Sequence, residues 1–113
     1  MLTSQPSTST IPLNAPVVSV SRYFVEQSKK AEFDRIFQSA APGLGAYTAP
    51  LAYAGGWRIE KEGEDEEFVL FAGWNKVEDH FAFAESDAFK EFGKIKSILK
   101  EAEIKHGHLE KWK

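Results

Sequence analysis

Apolar residues along this chain first alternate, then recur every three or four positions, and the switches between these rhythms divide it into elements. Val17 to Glu26 (VVSVSRYFVE) is β-branched and aromatic with short side chains alternating, which predicts a first strand. From Lys29 to Ala41, Phe33, Ile36, Phe37 and Ala40 recur at steps of three, one and three, the stripe of an amphipathic helix. Ser28 is placed to cap it, and Pro42-Gly43-Leu44-Gly45 reads as its end. Ala46 to Glu60 mixes small and aromatic residues around Pro50 and a Gly55-Gly56 pair, which predicts a strand interrupted by a bulge or bend. Lys61 to Glu67 (KEGEDEE) is a charged turn around Gly63.

Phe68 to Trp74 (FVLFAGW) then carries no charge, with Phe68, Leu70 and Trp74 on one face and Val69 and Phe71 on the other. Such a strand is buried on both sides. A helical pattern follows Asn75-Lys76: Glu78 and Asp79 suit the positive end of a helix dipole, and Val77, Phe81 and Ala84 form a stripe with His80 and Phe83 beside it. Ser86-Asp87 reads as a second cap, after which Phe89, Phe92, Ile95, Ile98 and Leu99 continue at periods of three and four. Ala102 to Trp112 alternates again and closes the chain as a strand.

The order β-α-β-β-α(α)-β predicts a ferredoxin-like α+β domain over residues 17–113, a four-stranded antiparallel sheet with helices on one face. Residues 1–16, with three prolines and many Ser and Thr, read as a flexible arm, or as one that lies on a neighbouring subunit through Ile11 and Leu13. Four strands about 4.8 Å apart, each of ~7 residues at ~3.3 Å, leave roughly 440 Å² of sheet uncovered by helices. A second copy is the simplest cover for an apolar face of that size, so a homodimer built from two sheets is expected.

Composition narrows the partners. The 113 residues carry a net charge of −3, which disfavours nucleic acid and anionic membrane surfaces. The absence of cysteine removes disulfides and thiolate chemistry. No secretory or membrane-length apolar segment is present, so a soluble cytoplasmic protein is expected. Nine Phe among 13% aromatics suit a packed core and an aromatic-lined pocket equally well.

The segment from Phe68 to Phe92, through Trp74, Val77-Glu78-Asp79-His80, Ser86, Phe89 and Phe92, resembles the dimeric α+β-barrel superfamily, in particular its antibiotic-biosynthesis-monooxygenase-like and stress-responsive members. The resemblance implies a pocket between sheet and helices floored by Phe68, Leu70, Ala72 and Trp74. Polyketide cyclases of this architecture use a Tyr and a His at places that fall here on Phe83 and Phe89, so their acid–base mechanism is not inherited. Monooxygenase relatives, which need no cofactor, use a Trp with polar neighbours, a place for Trp74 and Asn75.

Candidate chemistry rests on few residues. His80, His106, His108 and Tyr23 are the candidate proton-transfer groups. His106 and His108 share a strand face and suit a half-solvated surface first, acid–base work second and two metal ligands last; no third ligand appears in sequence, so neither metal nor cofactor is expected. Phe68, Leu70, Trp74, Phe83, Phe89 and Trp57 are the candidate substrate contacts. Two functions compete. One is a small cofactor-independent enzyme of secondary metabolism (cyclase, lyase or monooxygenase) acting on an aromatic or polyketide-like molecule. The other is a non-catalytic dimer that binds a small ligand or answers stress.

Overall fold

The computed structural model describes residues 15–49, 51–61 and 63–107, so the proposed arm through Ile11 and Leu13 and the end of the chain, with His108, lie outside the described residues. The elements are β1 (Val17–Val25), α1 (Lys30–Thr48), β2 (Tyr53–Trp57), β3 (Glu66–Trp74), α2 (Val77–Ala84), α3 (Ala88–Gly93) and β4 (Leu99–Gly107). Short 3-10 turns at Gln27–Lys29 and Lys94–Ile98 lead into α1 and out of α3. The sheet runs β2-β3-β1-β4 with every neighbouring pair antiparallel, the ferredoxin-like order.

Several boundaries differ from the sequence reading, each for a physical reason. Helix α1 does not stop at Ala41 but runs through Pro42 to Thr48. Its stripe continues as Phe33, Ala40, Leu44 and Thr48, all buried. A proline inside a helix costs about 3 kcal/mol, and burying a leucine side chain returns roughly 1.5–3 kcal/mol, so Leu44 offsets much of that loss. Gly43 keeps the helix close to α3, since a Cβ there would stand 3.0 Å from the Ala88 Cβ. Ser28 makes no cap bond and sits within the 3-10 turn. Ser86 does cap α3: its hydroxyl accepts from the Phe89 N–H at 3.3 Å and donates to the Phe83 carbonyl at 2.6 Å.

Strand β2 pairs with β3 in unbroken register, Tyr53 with Ala72 through Trp57 with Phe68, so the bulge expected at Gly55-Gly56 is absent. Gly55 serves packing instead: a Cβ there would fall 2.9 Å from the Phe68 ring. Gly63, at φ +83°, makes the turn into β3. Glu66 and Glu67 belong to that strand rather than to the turn. Glu66 pairs with Lys30 and Lys61, while Glu67, only 8% exposed, accepts from Arg22 at 2.7 Å and Arg58 at 2.9 Å.

The helix-facing side of the sheet carries Tyr23, Val25, Phe68, Leu70, Ala72 and Trp74, which pack against Phe33, Leu44, Phe83, Phe92 and Ile95. In α2 the buried stripe is rotated from the expected one: Phe83 is inside and Phe81 is 59% exposed. The opposite side is less apolar than expected. Val20, Phe24, Val69 and Phe71 are half-buried at its centre, but β4 presents Glu101, Glu103 and Lys105 to solvent there. Packing also begins before Val17, because Ala15 is buried and its Cβ fills the space a side chain at Gly73 would need.

Candidate active site

The register of β1 and β3 explains a void beneath the helices. Ser19 pairs with Ala72 and Ser21 with Leu70, so the middle of the sheet is floored by small side chains, while Phe83, Phe89 and Phe92 close it from above. The result is a cavity of about 230 Å³. Ligand pockets usually begin near ~300 Å³, so this one suits a compact molecule.

Its polar groups gather along β1 and α2. His80 lines the cavity with its ring stacked on Trp74, centroids 4.5 Å apart and planes within 11°. The Trp74 indole N–H donates to Ser19 Oγ at 3.0 Å, which fixes the indole that the imidazole lies on. His80 Nδ1 lies 2.8 Å from Nε2 of His106, which edge strand β4 brings across from beside Ser19. His106 is not in the lining; it is half-buried, with the Phe81 ring edge-on at 6.0 Å. Burial, and secondly the neighbouring His106, push the His80 imidazole down to about 4. It is therefore neutral near pH 7 and a weaker base than a free imidazole. Tyr23 lines the floor beyond Ser21, and its phenol is pushed up by burial, partly opposed by its hydrogen bond with Ser21, so it remains a donor.

The sequence candidates separate cleanly. The structure brings His80, Tyr23, Leu70, Trp74, Phe83 and Phe89 to the cavity wall, with His106 joined through His80. Phe68 and Trp57 are elsewhere: they form an aromatic cluster with Phe33, and the Trp57 indole donates to Asp34 at 2.7 Å. Both belong to the core between α1 and β2, because Phe68 lies opposite Trp57 rather than over the small floor residues. Asn75 is exposed in the turn after β3 and does not line the cavity. His108 lies outside the described residues. Three polar cavity residues are not among the sequence candidates. Ser19 and Ser21 were visible as the short alternating residues of VVSVSRYF, whereas nothing in the pattern marked Lys96, the charged side chain at the wall.

A four-stranded antiparallel sheet, helices covering one face and a cavity between them define an α+β domain of the ferredoxin-like type. It shares its fold with solved structures named for antibiotic biosynthesis monooxygenases. A Nitrosomonas europaea protein named for antibiotic biosynthesis monooxygenases is similar at TM-score 0.70 and 12% identity, over 81% of this chain and 88% of that one. The cofactor-independent oxygenase SnoaB of Streptomyces nogalater is similar at TM-score 0.62 and 15% identity, over 87% and 97%. A conserved Methanosarcina mazei protein is similar at TM-score 0.65 and 22% identity, over 83% and 92%. No protein-family model matches the chain, and no curated protein sequence does. At these identities the likeness is one of fold.

Proposed function

We propose that this chain is a small cofactor-independent enzyme of the monooxygenase type, acting on an aromatic or polyketide-like molecule held between sheet and helices. The observation that carries this reading is a neutral imidazole, His80, presented to a largely apolar cavity and backed by a second imidazole. A phenol or enol in the cavity loses its proton to His80 Nε2. That requires the tautomer in which His80 Nδ1–H donates to His106 Nε2, leaving the lone pair on the other nitrogen. The imidazolium then formed lies on the Trp74 ring, with His106 Nε2 accepting from its Nδ1–H. The resulting electron-rich anion passes an electron to dioxygen and combines with it at a ring C–H carbon. The peroxide takes the proton back from His80 and loses water, leaving a carbonyl, so dioxygen is the oxidant and no bound redox group is needed. Tyr23 and Ser21 supply hydroxyls for an oxygen at the far end of the molecule.

SnoaB, a cofactor-independent oxygenase by name, supports the oxygenase type among the three considered. Phe83 and Phe89 support it indirectly, since neither side chain can move a proton and both line the cavity as apolar wall. The unit is proposed to be a homodimer, joined through Val20, Phe24, Val69 and Phe71 on the sheet face that the helices leave open. The reading is tested by following the His80 ring by NMR while 1-naphthol and 2-naphthol are added, with oxygen uptake recorded alongside. Both naphthols should shift His80, and uptake above the buffer rate should vanish in His80→Gln. A His80 ring that no aromatic alcohol perturbs overturns the proposal.

A further inference from the structure

We propose that the cavity selects a compact aromatic acid, one or two fused rings bearing an anionic substituent, with Lys96 at its wall as the anchor for that charge. This rests on the cavity reading above and adds the substrate class. Size is the first argument. A cavity of about 230 Å³ lies below the ~300 Å³ at which ligand pockets usually begin, which favours one or two fused rings with small substituents. Longer fused ring systems exceed it.

Charge is the second. Among the described residues that line the cavity, Lys96 is the one charged side chain; the rest are apolar or aromatic residues, three hydroxyls and His80. Its neighbours in sequence are already neutralised: Lys90 pairs with Asp87 at 3.1 Å and Lys94 with Glu91 at 2.9 Å. Lys96 differs. Among the described residues its ammonium has no carboxylate partner and lies 5.5 Å over the ring of Phe89, itself part of the wall. Lys96 follows directly on Ile95, which is buried. The 3-10 turn Lys94–Ile98 thus holds a cation beside the cavity while its neighbouring side chains fill the core. A carboxylate on the ligand completes this arrangement, meeting Lys96 outside while the ring enters toward His80. In a chain of net charge −3, an unpaired cation at this one wall also gives an anion a preferred direction of approach.

The experiment compares 2-naphthoate, its neutral isostere 2-naphthamide and pyrene-1-carboxylate by calorimetry, on the wild-type protein, Lys96→Met and Lys96→Arg. Methionine keeps the stem over Phe89 and removes only the charge. In the wild type the naphthoate should bind about fivefold more tightly than the amide or better, the effect of one rim ion pair. That preference should disappear in Lys96→Met, return in Lys96→Arg and shrink with added salt, and the four-ring acid should not bind. Equal binding of acid and amide to the wild type overturns the anchor while leaving the cavity reading intact, as does an equal loss for both in Lys96→Met. If neither two-ring compound binds, the cavity reading fails together with this one.

Discussion

His80 Nδ1 and His106 Nε2 stand 2.8 Å apart, although 26 positions separate them in the chain and they come from the helical layer and the sheet edge. Two full charges that close would repel by about 6 kcal/mol at an effective dielectric of ~20, which opposes protonation of His80 beside His106. Burial is the larger cause of the depressed His80 value and His106 the smaller. Replacing His106 by Gln, which keeps a hydrogen-bonding partner but no charge, should therefore raise His80 from about 4 only part of the way toward 6.5. The His80 Cε1–H resonance followed from pH 3 to 8 checks this, and a titration identical to wild type would break the pairing.

The same ring makes stability depend on pH in a defined window. His80 takes up a proton near pH 6.5 in the unfolded chain but only near 4 in the folded one. Between those values the unfolded state binds more protons, so stability falls as pH is lowered from 6.5 to 4 and gains no further loss from this group below that. Glu66 and Glu67, held below the usual carboxylate range by hydrogen bonds from Lys61 and Arg22, add their losses lower, beneath 4.5. His80→Gln should flatten the upper window alone. Urea midpoints at pH 7, 5.5 and 4.5 for both proteins would show it, and parallel curves would refute it.

Beneath His80, the Trp74 indole depends on Ser19. Removing the hydroxyl in Ser19→Ala leaves a buried N–H without its partner, at a cost of about 1–3 kcal/mol. Trp74→Phe removes the donor and loses packing as well. Because the two residues share one hydrogen bond, the double variant should cost about 1 kcal/mol less than the sum of the singles. Equilibrium unfolding of the four proteins measures this coupling; strict additivity would mean the bond contributes nothing.

How much of this was legible beforehand differs by residue. The strand at Phe68–Trp74 and the cap at Ser86 could be read because local pattern and tertiary role agree there. Pro42 misled because a breaker acts locally, while the burial of Leu44 and Thr48 that carries α1 past it depends on what packs above the sheet. Phe68 and Trp57 looked like pocket residues by chemistry, and only strand register, which pairs them with each other, assigns them to the core. His80 and His106 could be singled out as titratable groups, but no spacing rule links a helix residue to a position on the last strand. The cavity itself came from side chains that are small, Ser19, Ser21 and Ala72, and small residues leave little trace in a hydrophobic pattern.

The open sheet face yields a prediction about assembly. Phe71 is half-buried at its centre, paired across from Val20 and Ala54, and away from the cavity. If a second copy covers this face, Phe71→Glu places a charge against its own symmetry mate and should shift the protein to monomer in sedimentation velocity, with the circular dichroism spectrum kept. Wild-type sedimentation as a monomer, or a variant still dimeric, would remove the proposed interface.

The floor of the cavity permits a test that separates ligand binding from folding. Ala72 is buried opposite Ser19 and lines the cavity. Leucine at this position would extend into space that is now empty. Filling a void of this kind commonly adds about 0.5–2 kcal/mol of stability, whereas overpacking a filled core removes 1–3 kcal/mol. Ala72→Leu should therefore unfold at or above the wild-type midpoint while losing 2-naphthol binding and the associated shift of His80. Ser21→Val, smaller and one pair further along β1, should weaken binding less and serves if the leucine distorts the sheet. Undiminished naphthol affinity in both variants would place any ligand outside the space between sheet and helices, and the role given to His80 would fall with it.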